Sequence, residues 1–325
     1  MLFAHVLRGN SLERVEVKEG EACPPDAVWI DLVVPTIGED KIVESAIGVM
    51  VPTREEMAEI EVSSRLYIEN GARYMTATVM YNTDTDKPGT TAITFIIAGS
   101  KLVTVRYDEP KPFTYLAGKL SKVCSVNTNG PSIMVELLDA IIDRVADILE
   151  RLAAEVDKVS TRVFERNAAR DDPNQRYQAI LRNIGRKGDL LSKSRESLVS
   201  LNRLVLFFTN EAEAVGLAKD QRVHLKSVAR DISSLTDHAS FLANKITFLL
   251  DATLGMVSLE QNNVIKLFSV MAVTLMPPTL IASIYGMNFE HMPELKWVYG
   301  YPLALIAMIV AAIGPYFFFK WKRWL

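Results

Sequence analysis

The residues best suited to chemistry lie near the C-terminus, in the string Tyr285-Gly286-Met287-Asn288. The Asn288 side chain offers a neutral carbonyl acceptor, and Gly286 suits a close approach or a helix end. A ring of such amides fits a hydrated cation. Mg²⁺ gives up water reluctantly, so an outer-shell site bonds its waters instead of replacing them. Carboxylates at the narrowest point would hold a divalent ion too strongly to release it, whereas amides need not. Glu290 and Glu294, just beyond, read either as acids that raise the local cation concentration or as solvated loop charges. His291 reads as solvated or as a contact to a passing ion.

Upstream, Asn262, Ile265, Ser269, Ala272, Met276, Thr279, Ser283 and Gly286 fall three and four residues apart. That spacing puts them on one face of a helix with a seven-residue period. The face collects small and hydroxylated residues. It fits a pore lining, and it fits helix packing in a membrane, where small residues let backbones approach. The two coexist if several copies surround a channel. Ile265, Phe268 (one step off the face) and Met276 would then form apolar rings that gate by dewetting. Pro277-Pro278 removes two backbone donors and reads as a kink.

These residues need elements to hold them. Residues 264–285 carry one charge, Lys266, and residues 301–319 carry none. Each run is long enough to cross a bilayer core of about 30 Å as a helix. Trp297, Tyr299, Tyr301, Trp321 and Trp324 supply aromatics for both interfaces. The tail Lys320-Trp321-Lys322-Arg323 is more basic than the loop 286–300, which places the tail in the cytoplasm. Two spans return the chain to its starting side, so residues 1–261 are expected there too. The first nine residues show no secretory signal.

Composition agrees with this division. The 325 residues have a net charge of −3 and a mean hydropathy of +0.13. From Asn262 onward the balance is +3, so residues 1–261 carry −6. Two cysteines, Cys23 and Cys124, exclude a disulfide scaffold. The mild acidity argues against a nucleic-acid partner. No P-loop, nucleophile elbow, dinucleotide fingerprint or metal-ligand spacing occurs, which argues against an enzyme and against any cofactor. A membrane-anchored sensor of two spans is a further reading, but a 15-residue outer loop is too short for a ligand-binding domain.

The soluble part begins as mixed α/β. The pattern predicts strands at 2–7, 28–32, 73–80, 92–98 and 102–107, with a hairpin turn at residues 98–101. It predicts helices at 36–50 and 53–60 with Thr caps, a capping box from Thr53 to Glu56, and a helix at 110–122. Apolar steps of three and four predict a long helix at 133–165, ended by Asp171-Asp172-Pro173-Asn174, and a second at about 175–209. A third begins near Ala218 and, continued to Tyr285, would run about 100 Å.

With these residues in place, the chain resembles the CorA family of divalent-cation channels, whose mark is Gly-Met-Asn at the end of the first of two C-terminal spans. Here the mark is Gly286-Met287-Asn288. Met292-Pro293-Glu294-Leu295 follows, similar to the loop of the magnesium branch, and then the basic tail. The resemblance implies an α+β membrane protein. It has a cytoplasmic α/β domain (1–130), a long-helix funnel and stalk (131–263) and a pore-lining span (264–285). An outer loop (286–300), a second span (301–319) and a basic tail (320–325) complete it. It implies a homopentamer in the cell (inner) membrane, both termini cytoplasmic, taking up Mg²⁺ with Co²⁺ and Ni²⁺ as further cargo. Gly286, Met287 and Asn288 would form the selectivity ring. Asn262, Met276, Thr279 and Ser283 fall on pore positions, Ile265 and Phe268 on the hydrophobic gate, and Asp251 at the cytoplasmic end of the stalk pore. The zinc-transporting branch, with possible proton coupling, shares the tripeptide and stays open as the alternative. The family also senses cytosolic Mg²⁺ at acidic sites between subunits. The matching stalk segment, Lys226-Ser227-Val228-Ala229-Arg230-Asp231, has one acid, so no regulatory residue is named.

Overall fold

The computed structural model describes residues 1–85, 87–165, 173–288 and 292–322, without the side chains of Pro173, Asn174, Glu294 and Leu295. The chain divides into two units. Met1–Glu165 and Leu181–Leu249 form the first, and Arg166–Ile180 and Leu250–Leu325 the second.

The first unit is built on a seven-stranded sheet. Its strands are β1 (Leu2–Arg8), β2 (Ser11–Val17), β3 (Ala27–Val33), β4 (Leu66–Glu69), β5 (Ala72–Tyr81), β6 (Gly89–Ala98) and β7 (Lys101–Arg106). They lie in the order β2-β1-β3-β7-β6-β5-β4. β3 and β7 pair in parallel, and every other neighbouring pair is antiparallel. Both faces are buried, each by alternate residues, as the two-residue period of a strand requires. Leu2, Ala4, Ile30, Leu32, Val103 and Val105 pack with Val43 of helix α1 (Ile37–Ile47) and Met57 of α2 (Arg54–Ala58). Thr36 and Thr53 cap those helices, each in a capping box with the Glu three residues on. Each cap stabilises its helix by about 1 kcal/mol. The short α3 (Val62–Arg65) leads into β4.

The opposite face carries a cluster of polar residues linked through Asp31. Arg106 grips Asp31 through Nη2 at 2.8 Å and Nε at 3.1 Å. The Thr104 hydroxyl donates to Asp31 at 2.7 Å and accepts the Trp29 indole N–H at 2.9 Å. His5 stacks on Trp29 at 4.2 Å, and burial pulls its pKa down to about 4, against the pull of Asp31. A buried pair that kept one partner would be strongly destabilising, so this connected network matters more for what it avoids than for what it adds. Phe113 of α4 (Lys111–Leu120) covers it, with Arg106 4.9 Å from its ring.

Helix α5 (Gly130–Phe164) begins against the β6–β7 hairpin. Ala98 pairs Lys101 across a two-residue turn, in which Gly99 has φ +59, and a positive φ at that position matches the twist of the strands. Gly130 donates to the Ser100 carbonyl at 2.7 Å. A Cβ on it would sit 2.3 Å from the backbone of Lys101 and Leu102, so a side chain there is excluded. Helix α6 (Pro173–Glu211) follows. Pro173 therefore opens this helix, as a first-turn Pro can, where the sequence reading had it close the preceding one. Asp171 and Asp172 lie outside the described residues. β4 pairs only the first part of β5, leaving the Thr78 backbone without a strand partner on that side. Two α6 hydroxyls take its place: Thr78 N–H donates to Ser200 at 2.9 Å, and Ser197 donates to the Thr78 carbonyl at 2.9 Å.

Helix α7 runs from Lys219 to Tyr285 without a break, through Pro277 and Pro278. In the first unit it buries Leu225, Val228, Ile232, Ala239, Leu242 and Leu249, a seam of coiled-coil spacing. In the second unit α7 ends at Tyr285, and α8 (Gly300–Trp321) follows a 3₁₀ turn at Pro293–Lys296.

Two strands escape the sequence reading, β2 and β4. They are the two edges of the sheet.

Candidate functional site

The site begins as a face of α7. Because the helix is continuous, the three- and four-residue steps from Asn262 to Ser283 do fall on one side of it. Those six steps span 21 residues and rise about 31 Å, close to the thickness of a bilayer core. Asp251 lies eleven residues before Asn262 on the same helix, three turns down that face. Asn262, Ile265, Phe268, Ser269, Ala272, Met276, Thr279 and Ser283 are all exposed in the single chain, Met276 to 68%. Most of the rest of this stretch is exposed too, with Thr274, Pro277, Pro278 and Ile281 half-buried. Among residues 262–288, Val270 is the one buried. So large an apolar surface is unstable in water and needs lipid or other chains around it. The C-terminal part of α7 and all of α8 are long and apolar enough to cross a membrane.

Chemistry along the face is set by who spends its protons. The Thr279 hydroxyl donates to the Leu275 carbonyl at 2.7 Å, leaving lone pairs to point outward. Hydroxyls fixed in this way present acceptors, the polarity that the waters around a cation seek. Thr274 does the same to Val270 at 2.8 Å, one turn before the two prolines.

At the end of α7, the Gly286 N–H reaches the Ala282 carbonyl at 3.0 Å and the Met287 N–H reaches the Ile284 carbonyl at 3.3 Å, tightening the last turn. A Cβ on Gly286 would meet the Ala282 oxygen at 3.2 Å, so glycine fits the helix end by space. Met287 and Asn288 are exposed just past it. Glu290 and His291 lie outside the described residues, as does the Glu294 side chain. Beyond the loop, Trp297 and Tyr299 meet edge to face at 6.3 Å, and Lys322 sits 5.7 Å from the Trp321 ring.

Two charge clusters in the first unit went unread in the sequence. Asp139, Asp143 and Asp147 stand at every fourth residue of α5, a spacing that marks one helical face. Burial first, then Asp139, Asp147 and Asp231 of α7, push the Asp143 carboxyl above its ordinary range. Asp231 is the single acid of the stalk segment, so its neighbours on α5 supply the charge that segment lacks. His224 meets Asp139 at 3.3 Å. The described residues hold no group of three or more His, Cys, Asp or Glu side chains placed to grip a metal. The second cluster is Asp84, which accepts from Arg144 at 2.6 Å, from Arg151 at 2.8 Å and from Lys111. These cations hold its carboxyl well below the usual range and pin the β5–β6 loop to α5.

Residues 26–323 match the family model described as CorA-like Mg2+ transporter protein. The chain belongs to this family. It is 35% identical over its whole length, and the whole of the relative, to the magnesium transport protein CorA of Salmonella typhimurium. The corresponding protein of Escherichia coli K12 is 34% identical, again over both full chains. Among solved structures it superposes on the complete CorA of Methanocaldococcus jannaschii with a TM-score of 0.78. That pair is 18% identical and covers 100% of this chain and 99% of that one. The cytoplasmic domain of ZntB from Vibrio parahaemolyticus matches 79% of this chain, and 97% of its own, at TM-score 0.57 and 10% identity. Both structural likenesses speak to fold. A CorA-family chain is a transporter and no enzyme, and its fold is the one the sequence implied: an α/β sheet domain, long helices, and two apolar helices at the C-terminus.

Proposed function

We propose that this protein carries Mg²⁺ into the cytoplasm through a pore built by five copies of the chain, with Co²⁺ and Ni²⁺ as further cargo. The observation that carries the reading is the face of α7 from Asn262 to Ser283, exposed along its length and matched to a bilayer core. Five such faces would line one channel. Asn288 amides form the outer ring and bond the hydration shell of the ion, while Gly286 and Met287 shape it. Ile265, Phe268 and Met276 close the pore by dewetting, and Asp251 marks its cytoplasmic end. Glu290 and Glu294 draw cations to the mouth. The organisation is that read from the sequence, with residues 1–130 and 131–263 in the cytoplasm, spans at 264–285 and 301–319, and a basic cytoplasmic tail at 320–325. Both termini face the cytoplasm of a cell (inner) membrane. An inside-negative potential of 100 mV contributes about 4.6 kcal/mol to the entry of one divalent ion.

The test is flux into liposomes holding the purified protein, with Mg²⁺ and Zn²⁺ measured in parallel, with and without a proton gradient. Mg²⁺ entry without the gradient is expected. Flux of zinc alone, driven by protons, would overturn the reading in favour of the zinc branch.

A further inference from the structure

Within the first unit, α6 faces α3 and β5 across an open groove of about 520 Å³. Its lining holds three arginines, Arg65, Arg195 and Arg203, against one acid, Glu196. Arg65 is half-buried, with Nε on the Glu59 carbonyl and Nη1 on the Thr78 hydroxyl at 3.2 Å. Among the described residues no carboxylate lies within ion-pair distance of any of the three. Burial lowers the Arg65 pKa; Glu196 opposes that effect and Arg203 adds to it. Removing a guanidinium from water without a counter-charge is costly, and an anion in the groove would relieve it. Hydroxyl donors are at hand. Ser200 accepts from the Thr78 backbone, which leaves its own proton free, and Ser192 lies two turns before it on the α6 wall. Arg195 and Arg203 are eight residues apart on α6, about 12 Å by helix rise, a span wider than one carboxylate.

We propose that this groove binds a soluble oligophosphate anion, held between Arg195 and Arg203 with Arg65 at its floor. The site stands apart from the transport reading and is tested without flux. Calorimetry on the full chain, in metal-free buffer and a detergent without phosphate, uses inorganic pyrophosphate and orthophosphate as probes. Pyrophosphate should bind more tightly than orthophosphate, and the Arg195→Gln/Arg203→Gln variant should bind it at least about tenfold more weakly, as loss of charge-assisted bonds predicts. Glu196→Gln, which removes the opposing acid, should tighten binding. Equal affinity in wild type and both variants, or no heat with wild type, would overturn the site. Displacement of pyrophosphate by added phosphatidylglycerol would assign the groove to lipid headgroups instead.

Discussion

Between Leu225 and Leu249, α7 hides a seam of heptad spacing against its own chain; between Asn262 and Ser283 it displays one. One helix thus repeats a single geometric device in two settings. The first half finds partners in α5 and α6, with Lys245 of α7 reaching Asp157 and Phe248 stacking on Phe164 at 6.2 Å. The second half finds Val270 buried and little else. A seam satisfied inside the chain serves folding. A seam left open, flanked by leucine and isoleucine on its other sides, is free for the assembly and ion path proposed above.

Mutations in the two halves should therefore separate. Asn288→Ala should abolish Mg²⁺ uptake while the assembled size in detergent stays unchanged; uptake at the wild-type rate would remove the residue from the mouth. Met276→Asp should wet the gate and raise leak in planar bilayers, and unchanged conductance would take Met276 off the pore. In the first half, Leu242→Ala should cost about 2–5 kcal/mol of stability, as buried leucine truncations do. The control is Leu275→Ala in the second half, where the side chain is 61% exposed. Hydrogen exchange of the β3 and β7 amides should accelerate for the first variant and not for the second.

A pH experiment sharpens the contrast further. His5 is buried and neutral in the folded protein, with its pKa lowered from 6.5 to about 4. The unfolded chain binds the proton first, so stability is intact above pH 6.5 and falls as the pH drops toward 4. The His5 share of that loss reaches about 3 kcal/mol. Denaturant unfolding of wild type and His5→Phe at pH 7, 5.5 and 4.5 should show the two curves drawing together as acid weakens the wild type. The smallest effect belongs to Asp143→Asn. Its carboxyl is crowded by like charges, so removing the charge should raise the melting temperature slightly at pH 7, and a fall would place a cation in that seam.

What the sequence made legible follows from where tertiary contacts matter least. Thr53 and Glu56 spell a capping box within four residues, and residues 98–101 spell a turn, so both are read locally. The central strands are apolar enough to announce themselves. β2, Ser-Leu-Glu-Arg-Val-Glu-Val, lies at the sheet edge, where charges are wanted to repel other edges, and those charges mask it. β4 has four residues and the same position, although Asn70-Gly71 beside it, both at positive φ, is a strong hairpin signal that went unused. Ionic clusters are harder. Asp84 meets Arg144 and Arg151 sixty and sixty-seven residues away, and nothing local in the loop predicts that. The α7 face was legible because helical period is a local property. What stands opposite it lies outside this chain's own contacts, and no pattern within a single sequence places it.

The serine pair on α6 has a consequence for synthesis. Ser197 and Ser200 complete the edge of β5 from 119 and 122 residues downstream. At translation rates of about 5–20 residues per second, the strand leaves the ribosome roughly 6–24 s before its cover is made. During that interval the part of β5 beyond its pairing with β4 offers an open edge to any neighbouring nascent chain. The order of the helices along the gene thus sets a period of exposure that a chaperone is suited to fill.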